Sequence, residues 1–186
     1  PSPWLHPSRY RECLQARGHD AVRASVAEIG LHRAVMPTVR AAPDREWVGA
    51  SFHPGSFTVA FNSRHEFADA MLLSIAAHET VHALFDQFLL RPAPGPDATF
   101  YLLVEETTAE VLGAHIAGRA WSRLGGKGDK LTAWLLDSHR EDCDPHRPGS
   151  VANHYFVLDR AGGEAFNHLP PEQALSHFGP PPLVEA

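Results

Sequence analysis

Ser74-Ile75-Ala76-Ala77-His78-Glu79-Thr80-Val81-His82-Ala83-Leu84-Phe85 places three ionisable side chains in a run that is otherwise almost wholly apolar. The surrounding segment, Phe67 to Leu90, has the length and apolar content of a buried helix. His78, Glu79, His82 and Asp86 interrupt it, which argues against a membrane span. On a helix, residues at i and i+4 share one face, so the rings of His78 and His82 can reach a common ion. Glu79 points elsewhere and can hold a water beside that ion. The chain contains 13 histidines, and a chance His-Glu-x-x-His match has odds of about one in twenty by composition. Placement weighs against chance: ionisable groups buried in a core helix are costly without a partner.

Working outward from this helix gives an α+β chain of one domain, residues 1–186. Upstream, Arg9 to Ile29 reads as a helix, with Leu14, Ala21, Val22, Val26 and Ile29 at three- and four-residue spacing and Gly30 as its stop. Three strands are expected next: Leu31 to Arg40, Glu46 to Phe52, and Ser56 to Asn62. The last is the clearest, with Phe57, Val59 and Phe61 on one face. Pro54-Gly55 marks a turn between the last two, and a small, mostly antiparallel sheet is the economical arrangement. Downstream, Thr99 to Leu124 is a second long helix beyond a Pro-rich loop, Arg91 to Asp97. Leu131 to His139, His154 to Arg160 and Glu164 to Phe178 read as shorter helices. Pro1 to Ser8 and the tail from Gly179 read as loose ends.

The 186 residues are 44% hydrophobic and 20% charged, enough for a packed core and unlike a disordered chain. A formal net charge of -6 gives no basic face for a nucleic acid. Cys13 and Cys143 form no CxxC pair, and either one disulfide or two free thiols fits them.

A catalytic zinc usually takes three protein ligands and keeps a fourth position open. The third donor is expected on the next helix, in Val104-Glu105-Glu106-Thr107-Thr108-Ala109-Glu110. The apolar stripe of that helix is Leu102, Ala109, Gly113, Ala117 and Ala120. Glu106 falls about 30° from the middle of the stripe and Glu105 about 70° away on the other side. Glu106 is therefore the better-placed ligand, with Glu105 as the alternative third ligand; where Glu106 binds, Glu105 reads as a solvated or capping carboxylate. Glu110, one turn after Glu106, can hydrogen-bond a ligating histidine.

These motifs resemble the gluzincin metallopeptidases, which carry His-Glu-x-x-His on one helix and Glu-x-x-Ala-acid on the next. Glu106-Thr107-Thr108-Ala109-Glu110 is similar to the ExxAD form of the prenyl-protein peptidases, with Glu in place of Asp. It also resembles the ExxAN form of the family that cleaves phage immunity repressors. Phe85 and Phe88 stand where a metzincin needs glycine and histidine. The resemblance spans about Ser56 to Ala120. It implies a zincin-like fold, with zinc on His78, His82 and Glu106, Glu79 as the base, and Glu110 behind a histidine.

The reaction expected is hydrolysis of a peptide bond, with Glu79 taking a proton from the zinc-bound water and passing it to the leaving amine. His154 and Tyr155 are the expected oxyanion donors. The expected partner is a peptide or protein, paired with a free edge of the strand at 56–62. Two other functions compete: a zincin-like enzyme acting on a small amide or natural product, and a non-catalytic zinc-binding module. The presence of a base at Glu79 speaks against the last.

Overall fold

A computed structural model describes residues 7–30, 34–44, 49–88 and 98–142, and in the last stretch the side chains of 104–137. The described chain is α+β. Helix α1 (Pro7–Ile29) is followed by β1 (Thr38–Ala42), β2 (Ala50–His53), a short 3-10 turn (Pro54–Ser56), β3 (Thr58–Asn62), α2 (Asp69–Gln87), α3 (Ala98–Arg123) and α4 (Gly128–Asp142). The helices expected at 154–160 and 164–178, and the loop at 91–97, lie outside the described residues.

Local chemistry sets several boundaries. Pro7 opens α1, where its missing N–H costs nothing. Gly30 ends that helix at φ 70°, a left-handed conformation that suits a residue without a Cβ. The end of α3 closes in the same way at Gly125, φ 85°, where the Gly126 N–H returns to the Trp121 carbonyl at 2.9 Å. Arg17 ties α1 to the start of α2, donating to the Phe67 carbonyl at 2.8 Å and to Asp69 Oδ1 at 2.6 Å.

The sheet corrects several expectations. Its order is β1-β3-β2, with β1 parallel and β2 antiparallel to β3, so it is mixed rather than mostly antiparallel. Strand β3 is therefore central. Both of its edges are paired, and it has no free edge for a substrate chain. Burial agrees with this position: every residue from Thr58 to Asn62 is buried, as suits an inner strand rather than a rim. The strand is also shorter than 56–62. Phe57 adopts φ 46° and caps the 3-10 turn, so it does not share a strand face with Val59 and Phe61.

Val59 and Phe61, both fully buried, belong to a core that includes Leu14 and Val22 of α1, Leu72, Ala76, Ala77 and Val81 of α2, and Ala109, Ala114, Ala117 and Ala120 of α3. Helix α1 comes so close to the sheet that a Cβ on Gly18 would stand 2.6 Å from the Phe61 ring. The α2–α3 interface is rich in alanine, which lets two backbones approach closely. At the narrowest point a Cβ on Gly113 would lie 3.1 Å from both Cα and N of His78. None of the described helices is long and apolar enough to cross a membrane.

Candidate metal centre

The narrow α2–α3 interface brings five of the expected residues together. His78 and His82 stand one turn apart on α2, with ring centroids 4.8 Å apart and their Nε2 atoms 3.0 Å apart. From α3, Glu106 Oε2 reaches within 3.4 Å of His78 Nε2 and 3.5 Å of His82 Nε2. Helices α2 and α3 run in opposite directions here, since His78 meets Glu110 while His82 meets Glu105.

The three separations test whether one ion fits. A metal–nitrogen bond of about 2.0–2.1 Å at tetrahedral angles places neighbouring donor atoms roughly 3.3 Å apart. The observed 3.0, 3.4 and 3.5 Å bracket that value. His78, His82 and Glu106 form a group that could hold a metal ion. Two imidazoles and a carboxylate suit several first-row divalent metals, zinc among them.

The far nitrogens of both rings are also engaged. His82 Nδ1 lies 2.7 Å from Glu105 Oε1, and His78 Nδ1 lies 3.5 Å from Glu110 Oε1. When each Nδ1–H donates to its carboxylate, both Nε2 lone pairs converge on the same point. Two lone pairs 3.0 Å apart repel unless a cation, either protons or a metal ion, lies against them.

Electrostatics follow the same division. Burial pushes the His82 imidazole down, but hydrogen bonds to Glu105 and Glu106 outweigh it and hold the group at about 9. Burial likewise opposes charge on His78, yet hydrogen bonds to Glu106 and Glu110 and the charge of Glu79 hold it well above its ordinary value. Burial raises Glu106, but its hydrogen bonds to the two histidines and their charges prevail and hold its carboxyl far below the usual range. In the metal-free protein the centre thus keeps its protons on the imidazoles, with the Glu106 carboxylate facing them.

Glu79 differs from these groups. It is buried, and burial raises its pKa despite the opposing charges of His78 and His82; the nearby charge of Glu106 adds to the rise, and a hydrogen bond from the backbone of Phe52 in β2 offsets part of it. Strand β2 thus touches this side of the centre. The other two residues of the motif are structural. Thr80 is buried and donates to the Ala76 carbonyl at 2.6 Å, and Val81 belongs to the core.

Glu105 corrects a further expectation. It is not a solvated or capping carboxylate: it is 5% exposed and accepts from His82. A helical wheel of α3 alone could not reveal this, because it ranks residues only by angle from the core stripe. The useful signal was spacing across two antiparallel helices. Glu105 and Glu110 flank Glu106 on either side, as the two ring Nδ1 atoms flank the Nε2 pair. The contact of Glu79 with the Phe52 backbone left no mark in the sequence. His154 and Tyr155 lie outside the described residues, as does Cys143, while Cys13 is exposed on α1.

Compared with protein-family models, with curated proteins and with solved structures, the chain matches none, so the centre is defined by its own geometry: two imidazoles and a carboxylate, able to hold a metal ion, beside a buried glutamate.

Proposed function

We propose that this chain is a zinc-dependent hydrolase of gluzincin type, and within that class a metallopeptidase. The observation that carries the reading is the convergence of both Nε2 atoms and the Glu106 carboxylate on one point, with Glu79 buried on the same helix. A purely structural ion would not need that extra carboxylate, because structural zinc sites close all four positions with ligands.

A divalent ion bound there supplies a Lewis acid and brings a coordinated water toward neutral pKa. The chain's own groups do the rest. Glu79 accepts a proton from the attacking water and returns it to the leaving amine. A carboxylate held above its ordinary value suits this two-way transfer better than a strongly acidic one. The Phe52 N–H fixes the carboxylate, and Glu105 and Glu110 hold the rings. A substrate chain laid beside β2 would pass Glu79, whereas one on β3 would have no edge to join.

The test is metal analysis combined with cleavage of a peptide library across acid to mildly basic pH. The expected result is one equivalent of zinc and cleavage that stops on chelation and returns with the metal. A zinc-replete protein that cuts no peptide would refute the peptidase reading.

A further inference from the structure

We propose that Glu105 is a positioning residue of the centre: by accepting the Nδ1–H of His82 it fixes the ring as the tautomer whose Nε2 lone pair faces the ion, independently of Glu110, which does this for His78. The inference rests on the metal-centre reading above and gives Glu105 a role other than those read from the sequence.

Three observations support it. The first is geometry. The 2.7 Å His82–Glu105 contact is the shortest of the four imidazole–carboxylate contacts in the centre, and the His78–Glu110 contact is 3.5 Å. A neutral imidazole has two tautomers of similar energy, and the acceptor at one nitrogen decides where the single proton sits. With a carboxylate at Nδ1, the proton stays there and Nε2 is left as a donor atom for metal.

The second is burial. The Glu105 side chain is 6% exposed and that of His82 10% exposed, so water competes poorly for this hydrogen bond. A ring without its acceptor would keep a buried N–H with no partner, or would turn its proton toward Nε2 and block the ion. The third is placement. Glu105 meets the second histidine and Glu110 the first. Each ring has its own carboxylate, and neither oxygen is borrowed from the ligand Glu106. Removal of one should leave the other ring in place.

The experiment uses the full chain, its Glu105→Ala, Glu105→Gln and Glu110→Ala variants, and the double variant that combines Glu105→Ala with Glu110→Ala. Zinc affinity is measured by chelator competition. In the metal-free proteins, nitrogen-15 spectra at pH 10 report which nitrogen of His82 carries its proton. Far-ultraviolet circular dichroism checks folding. Expected for Glu105→Ala is a 10- to 100-fold weaker zinc affinity, roughly the loss seen when such an outer partner is removed, with His82 shifted toward the Nε2–H tautomer. Glu105→Gln keeps an oxygen acceptor and should recover most of the affinity and the Nδ1–H signal. Glu105→Ala with Glu110→Ala should lose affinity by about the product of the single losses if the two rings are held independently, and a double loss no larger than a single one would overturn that independence.

Unchanged affinity in a folded Glu105→Ala protein would overturn the proposal, and so would an Nε2–H signal for His82 in the unaltered protein. If Glu105→Ala does not fold, Glu105→Gln carries the test: its tautomer must match the unaltered protein. Failure of the unaltered chain to bind zinc or another divalent ion would refute the metal reading itself, while the tautomer measurement would still decide the role of Glu105.

Discussion

Glu79 and Glu106 are chemically the same side chain in one small volume, yet their surroundings push them in opposite directions. Glu106 faces two imidazoles and is held far down, while Glu79 is dominated by burial and is held up. A ligand must remain a carboxylate at every working pH, and a base must exchange a proton. The proposed roles therefore follow from environment rather than from residue type. Glu79→Gln tests this division. It should keep the metal, since no ligand changes, and lower turnover by about 10²–10⁴-fold, the range for a lost general base. Metal stoichiometry measured beside the rate checks it, and loss of metal together with activity would place Glu79 among the ligands. At this scale the sequence was most legible where one helix carries the information: the i, i+4 pair of His78 and His82 is written in the spacing alone. Glu105 was misread because its partner lies on another helix, and the distance between helices has no counterpart in a linear pattern.

Between elements, the decisive quantity is how closely α2 and α3 approach. Ala76, Ala77, Ala109 and Ala117 keep the interface thin, and Gly113 removes the last Cβ opposite His78. Gly113→Ala would place that atom 3.1 Å from backbone atoms of His78, and a helix backbone cannot turn aside as a side chain can. The helices must separate by a few tenths of an ångström at the centre. The expected cost is about 1–3 kcal/mol of stability, the usual range for overpacking, together with weaker zinc binding as Glu106 and Glu110 draw back. Urea denaturation and chelator competition on the same preparation measure both, and an unchanged zinc affinity would show that the centre tolerates the shift. Helix positions were legible because period 3.6 is a local signal, and α1, α2 and α3 each fall within a few residues of expectation. The sheet was less so. Strand order depends on which edges meet, and β3 sits inside because both β1 and β2 pair with it, which no local pattern encodes.

For the molecule as a whole, the centre couples folding to protons and, on the proposed reading, to metal. His82 is raised from 6.5 to about 9. A histidine raised on folding contributes stability that is fully present below its unfolded pKa and is lost as pH climbs through the folded one. The metal-free protein should therefore weaken between about pH 6.5 and pH 9, by an amount on the order of 3 kcal/mol from His82 alone. His78, also raised, acts in the same direction. Metal replaces these protons, so its binding releases them and tightens over the same interval. Thermal unfolding with zinc and with a chelator at several pH values checks this. The gap between the two melting temperatures should widen as pH rises, and a constant gap would show that the imidazoles are not protonated in the metal-free fold. This coupling could be foreseen from the motif only in outline, since its size depends on burial and on the two outer carboxylates.

The antiparallel pairing of α2 and α3 has one further consequence, best seen in the terms of polymer physics. An ion held by His82 and Glu106 joins two points on the chain and closes the loop between them, much as a cross-link would. The entropy of closing a flexible loop grows only with the logarithm of its length, so doubling it costs roughly 0.6 kcal/mol. A single cation bound there would act as a removable clasp, and the two helices it fastened would keep their register almost regardless of how much chain runs between them.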